Sequence, residues 1–549
     1  MNINLIIGTA LSGLLLINCS NLKKDKIDLI VHNGTIYMVD QQFQTAEAMA
    51  IDSGRILAIG AEHEIRNRFQ AREQLDLRQK FVYPGFIDAH CHFVGLGPGM
   101  QQVDLTGTTS WEDCLLKVRE YAKKRPDGWI TGRGWDQNDW EVKEFPTNIE
   151  LSEMFPYRPV FLIRIDGHAA VANALALSIA NVDPARPIAG GEFVMKDGRM
   201  TGVMIDHAVD RVKMHIPQPD KKELAKAIFS AQEKCFEHGV TSVSDAGLTL
   251  DVINTIEELY ESGSLAIRMY IMVADDPASL DHFLARGPVQ TDQLTIKSVK
   301  CYMDGALGSR GAALLKPYSD DPDNYGLLLQ SKEEFERIAR LVYNLDFQLN
   351  THCIGDSANR MVLEVYSDIL QGPNDRRWRI EHAQIVDPED LNKFKNYTVI
   401  PSVQPTHATS DMYWAEDRIG AERIKHAYAW KDLLDQNGII ALGTDFPVED
   451  VSALKTFHAA VFRQDAMGYP EGGFQMENAL TREQAIRGMT IWNAIANFEE
   501  EEKGSLEIGK VADFIVLNKN LMNVSGKDFE SVKVEQTYVN GKQVFAISK

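Results

Sequence analysis

Short stretches in which apolar and polar residues alternate open and close the chain. Its long middle instead trades short apolar runs for amphipathic stretches of helical period. Near the start, residues 27–31 lead through Asn33-Gly34, a tight hairpin signal, into residues 35–39. Residues 48–51 and 56–59 flank Ser53-Gly54 in the same way. The other end repeats the pattern in residues 512–517 and in residues 532–539, which lead across Asn540-Gly541 into 543–545. Segments of this kind at both ends predict one small β-sandwich assembled from residues 27–80 and 500–549.

Between them, strand patterns fall at residues 82–90, 240–245, 267–273, 296–303, 347–352, 379–383, 398–403 and 439–445. Helical patterns such as 222–238 and 332–345 separate them. Strand and helix in regular alternation imply an α/β fold with a parallel sheet, and eight such units imply a TIM (β/α)8 barrel over residues 81–499. After the first strand about 120 residues, 97–218, exceed any ordinary loop and are read as an inserted cap over the barrel mouth. They carry strand-like runs of their own at 128–132 and 160–165. Gly95-Leu96-Gly97-Pro98-Gly99 is superficially like a phosphate loop, but Pro98 and the missing Lys-Ser/Thr speak against that. It is expected to be the flexible start of the insert.

A chain of 549 residues can bury a large core, and its formal net charge of −21 repels nucleic acid and anionic lipid. The apolar run 5–17 is short for a membrane span and ends at Asn18-Cys19. It resembles a bacterial lipoprotein signal, residues 1–19, in which Cys19 would carry the lipid, with Lys23, Lys24 and Lys26 opening a tether. The absence of Lys or Arg before the run and the size of Asn18 count against it, and an uncleaved anchor or a mistaken start is the alternative. The expected location is exported, facing the periplasm. The other five cysteines, odd in number and widely spaced, read as free thiols, which fit a cytoplasmic protein better. Cys91, Cys301 and Cys353 are expected to point outward into packing.

The polar residues at the strand ends change the picture most. His90 and His92 stand two apart, so both rings face one side of a strand. Lys300 lies in the fourth strand, His352 ends the fifth, His382 lies in the sixth and Asp445 ends the eighth. Active sites of such barrels sit at these ends. Imidazole and carboxylate suit Zn²⁺ and related ions, and an ammonium among them makes sense only if it is deprotonated or modified, as in a CO₂-derived carbamate. Singly, His382 reads as a packed histidine and Asp445 as a turn residue. Lys297 competes with Lys300.

The order His-x-His, Lys, His, His, Asp on strands one, four, five, six and eight resembles the amidohydrolase superfamily, and within it the YtcJ-like group that includes N-substituted formamide deformylases. Residues 84–90, Gly134-Trp135-Asp136-Gln137, residues 304–310 and residues 504–513 carry the resemblance. It implies that His90 and His92 bind the more buried of two Zn²⁺ ions and His352 and His382 the other, with carboxylated Lys300 between them. The four-residue step from Lys300 to Asp304-Gly305 matches the family. Asp445 would bind the first ion and act as general base and acid. The implied reaction is attack of a metal-bound hydroxide on a non-peptide C–N bond, in an amide or an N-formyl amine. Lactonase or phosphotriesterase activity shares the site. A cyclic amidine deaminase is disfavoured by Lys300, and a non-catalytic binding or regulatory protein by the full ligand set. Substrate contacts are expected from Trp135 and Asp136 in the insert, and from His168, Arg310 and His407. The expected partners are a small-molecule substrate, a membrane only through Cys19, and a second copy in a homodimer.

Overall fold

The structure, a computed structural model, describes residues 24–99 and 102–547, so the expected signal segment 1–19 and Cys19 lie outside the described residues. Eight strands lie side by side in chain order: Phe86–Cys91, Val240–Leu248, Arg268–Ala274, Leu294–Tyr302, Gln348–Cys353, Arg379–His382, Ile400–Val403 and Ala441–Leu442. Each pairs with the next in parallel. They are almost wholly buried, as strands must be when helices cover one side and neighbouring strands the other. Just past the last strand the sheet closes on the first: Asp445 N–H donates to His90 O at 2.8 Å and His92 N–H to Phe446 O at 2.8 Å. Asp88 fixes the seam by accepting from the Thr444 amide and hydroxyl. The molecule is a TIM barrel.

Helices take up the connections for local reasons. Lys221–Glu237 starts on a capping box of Asp220 and Glu223, which satisfies otherwise orphaned amides. Lys332–Asn344 is capped by Ser331 and buries Phe335, Ile338, Ala339 and Val342, a stripe at helical spacing. The glycine-rich stretch expected to be flexible is instead part of the helix Phe93–Gly99. Gly97 lets this helix lie against Ala227, whose carbonyl oxygen would be 2.3 Å from any β-carbon there.

The predicted first strand is really two. Phe81–Pro84 belongs to a six-stranded sheet built from both chain ends, and only after Gly85 does the chain enter the barrel. Asn33-Gly34 likewise makes no hairpin. The strand before it, Asp25–His32, pairs with Ala48–Asp52 and Phe69–Asp76, whereas Thr35–Tyr37 pairs with Phe81–Pro84 in the other sheet. The turn therefore carries the chain between two layers, which pack through Val31, Met49, Ile51, Val82, Phe514 and Val516. Asn540-Gly541 does join an antiparallel pair, Val534–Val539 and Lys542–Ala546. Asp513 ties this unit to the barrel by accepting from Arg268 Nε at 2.5 Å, at the N-terminal end of the third strand and so beneath the barrel.

The insert forms its own six-stranded sheet, running in order through Gly191–Lys196, Arg199–Asp206, Ala169–Ala172, Val160–Arg164, Ile130–Trp135 and Val103–Asp104. The helix Trp111–Lys124 covers one face.

Candidate active site

His90 lies in the first strand and His92 one residue past its end, with their ring centroids 5.7 Å apart. The His90 ring is fully buried, with Nδ1 2.6 Å from Glu381 Oε2. A carboxylate only accepts, so Nδ1 carries the proton and Nε2 turns its lone pair toward Lys300 Nζ, 3.3 Å away. His382 repeats the device: Nδ1 donates to Gln404 Oε1 at 2.7 Å. The rings of His90 and His382 lie 4.9 Å apart, and those of His382 and His352 4.5 Å apart. His92 Nε2 stands 3.2 Å from Asp445 Oδ1, without the alignment of a hydrogen bond. His382 and Asp445 are aimed by backbone in the left-handed region, at φ 72° and 60°, a conformation that costs a non-glycine residue about 1–3 kcal/mol and so marks a constrained site.

Burial sets the charges. It pulls His90 down to about 4, with the Lys300 charge adding to the effect, and holds His352 and His382 well below the ordinary imidazole value. Burial also brings Lys300 down to about 8, although Glu381 and Asp445 oppose it. For Asp445 burial acts upward, but His92 and His90 outweigh it and hold the carboxyl well below its usual range. Glu381 follows the same logic: Arg379 and His90 overcome burial and keep it near 2. Lys297 takes no part, since its ammonium lies over the Phe498 ring at 4.0 Å.

Three neutral imidazoles and an ionised carboxylate on one floor suit a divalent cation. Two sets of donors come close enough together to share an ion, His90–His92–Asp445 and His382–His407–Asp445. Asp445 Oδ1 and His407 Nε2 are buried without a hydrogen-bond partner among the described residues, as donors awaiting an ion or a substrate would be. His352 Nε2 faces Gly305 O at 3.5 Å. Glu381 is the residue that sequence reasoning passed over. Its signal was there: Arg379 and Glu381 are charged residues inside a strand buried on all sides, where charges persist only when paired.

Above this floor opens a cavity of about 1010 Å³, walled by the barrel loops and the cap. Of the expected substrate contacts, Asp136, His168 and His407 line it. Asp136 is held by Arg164, which also binds Asp166 at 2.7 Å and Gln137 at 2.8 Å. His168 Nδ1 donates to Asp206 Oδ1 at 2.7 Å; burial acts to lower this imidazole, but Asp206 prevails and raises it. His407 Nε2 stands 3.7 Å from Asp445 Oδ2.

Two expectations are corrected. Trp135 does not reach the cavity: its ring is buried in the insert's own core against Trp140 and Phe145, and its indole N–H donates to Leu162 O at 2.9 Å. Arg310 turns outward to pair with Asp320 at 2.9 Å. The motif that contains Arg310 serves a different purpose. Asp304 accepts from the amides of Ala313, Ile354 and Gly355, and Gly305 leaves room for the cap's Asp206, whose Oδ2 would be 2.4 Å from a β-carbon there. The loop is a seat for the cap.

Comparison with known proteins agrees with this geometry. The model of the amidohydrolase family matches residues 73–545. The chain is 35% identical to Protein LONG AFTER FAR-RED 3 of Arabidopsis thaliana, over 94% of this chain and 91% of that one. It is 25% identical to the N-substituted formamide deformylase of Arthrobacter pascens, over 94% and 97%. The crystal structure of an uncharacterized metal-dependent hydrolase from Pyrococcus horikoshii OT3 superposes with a TM-score of 0.75 at 31% identity, covering 91% of this chain and 99% of that one. With the barrel, the strand-end donors and a match that spans most of its length, the chain belongs to the amidohydrolase family.

Proposed function

We propose that this metal-dependent hydrolase cleaves a non-peptide C–N bond in an amide or an N-formyl amine, with two zinc ions at the barrel mouth. His90, His92 and Asp445 would hold one ion and His352 and His382 the other, with Lys300 between them as its carbamate. Support for the carbamate comes from the lowered Lys300, since only an uncharged amine adds CO₂. When bound, the ions supply Lewis acidity to the scissile carbonyl and lower the pKa of water.

The residues do the rest. The ionised Asp445 takes the proton of the attacking water and returns it to the leaving nitrogen. Glu381 and Gln404 keep the Nδ1 protons of His90 and His382 in place, so that both Nε2 atoms stay available. Asp206, which accepts from His168, seats the cap against the loop after the fourth strand. The relative from Arthrobacter pascens, named for its action on N-substituted formamides, favours an N-formyl amine. We further propose that a lipid on Cys19 places the enzyme at a membrane facing the periplasm, and that the chain pairs as a homodimer.

One observation carries the catalytic reading: Asp445, its carboxyl held well below the usual range, stands at the closing seam of the barrel with Oδ1 3.2 Å from His92 Nε2. The test is metal content and hydrolysis of N-formyl amines by wild type and Asp445→Asn. We expect the variant to lose about 10²–10⁴-fold in kcat. Full activity in a variant that retains its metal would remove Asp445 from the proton path.

A further inference from the structure

We propose that Arg133, on the cap wall, is the specificity-determining residue and that it binds a carboxylate on the substrate. The enzyme would then act on N-acyl or N-formyl amino acids, and this substrate class rests on the C–N hydrolase reading above.

Arg133 lies in the strand Ile130–Trp135 and lines the cavity. In a regular strand residues 133 and 135 would share a face. Here the pairing register slips between them, and Gly134 sits at φ +109° with its α-carbon pressed against Thr106. Such an irregularity re-aims the side chains on either side of it. It sends Trp135 into the insert's core and leaves Arg133 facing the barrel floor. The guanidinium rests over Gly167, where a β-carbon would stand 3.1 Å from Nη2, so this wall is shaped to receive it.

What the guanidinium lacks is an anion. It makes one hydrogen bond, from Nη2 to Ile165 O at 2.9 Å, its Nε is buried without a partner, and no carboxylate among the described residues lies within ion-pair distance. Arg164, its neighbour on the next strand, is by contrast neutralised by Asp136 and Asp166. An enclosed guanidinium with free donors is costly unless a ligand completes it, and a carboxylate matches its planar fork.

The rest of the cavity is rich in acids, which sharpens the point. Several are already paired: Asp136 and Asp166 with Arg164, Asp206 with His168, Asp450 with Lys455. Others, such as Asp139 and Glu449, repel an anion. Lys213, a lining cation with no acidic partner among the described residues, is exposed, so Arg133 is the enclosed resting place for a substrate carboxylate and would fix its orientation over the floor.

The test compares N-formylphenylalanine with N-formylphenylalaninol, which replaces the carboxylate by a hydroxymethyl group. Binding is followed by calorimetry, and turnover in parallel, on metal-loaded wild type, Arg133→Lys and Arg133→Met. We expect wild type to prefer the acid about tenfold or more, with the preference in KM; Met should bring the pair within about twofold and Lys should keep part of it. Equal binding of acid and alcohol by wild type, or binding of neither, overturns the proposal. So does an equal loss for both probes in Arg133→Met, which would make the residue structural. Arg133-dependent binding of the acid without turnover of either probe would uphold carboxylate recognition and sink the N-formyl amine reading instead.

Discussion

Across one cavity, the barrel floor and the cap wall hold charged groups by opposite means. On the floor, His90, Lys300, His352 and His382 sit at strand ends whose positions follow from closing an eight-stranded barrel, and Glu381 and Gln404 underneath hold the His90 and His382 rings through Nδ1. On the wall, Arg133 and Trp135 owe their directions to a single irregularity at Gly134. The floor is therefore built by topology and the wall by a local exception. A family can keep its chemistry by keeping the first and change its substrates by moving the second.

The largest effect should come from the support beneath the floor. Glu381→Ala leaves Arg379 buried without its carboxylate and His90 without an acceptor. We expect a loss of about 3–5 kcal/mol in stability and about 10–100-fold in metal affinity, read by denaturant unfolding of the metal-free protein and by chelator competition. Glu381→Gln can still accept from His90 and should recover most of the affinity but not the stability. Equal recovery of both would mean that the charge on Glu381 does not matter.

A smaller effect should separate the wall from the floor. At Gly134, alanine would be strained by φ +109° and by Thr106 Oγ1, 2.5 Å from the new β-carbon. Gly134→Ala should cost about 1–3 kcal/mol and erode the preference for the acid probe, while chelator competition stays unchanged. A matching fall in metal affinity would show that cap and floor are not independent. Smallest of all, Trp135→Phe removes the bond to Leu162 O and should cost about 1 kcal/mol of stability with KM unmoved. A large change in KM would return the indole to the cavity.

The floor was legible in the sequence because its information is periodic. Apolar runs located the strands, and the histidines stood where those runs stop. What stayed hidden depends on contacts far away along the chain. Nothing in the apolar, β-forming run from Phe81 to His90 says that it changes sheets at Gly85, because both halves need the same residue types. Asn33-Gly34 has the chemistry of a tight turn, yet whether its flanking strands pair with each other is decided by Ala48–Asp52 and Phe69–Asp76. Trp135 invited a place in the lid because an aromatic beside an acid suits a pocket. The irregularity that turned it inward is invisible without its neighbour strand, and for the same reason Arg133 was passed over.

The seam where the barrel closes has a further consequence for how the protein comes into being. Asp88 and Thr444, which lock it, are 356 residues apart, and His90 and Asp445 meet beside them. Contacts of such long range form late, after the intervening chain has ordered. His90 and His92 are therefore separated from Asp445 until the last strand docks, and a chain interrupted before Asp445 would have two of the three ligands proposed for the first ion. On the proposed assignment, capture of the ion would signal completed folding, and its binding energy would be added to the final closure of the barrel and not to its beginnings.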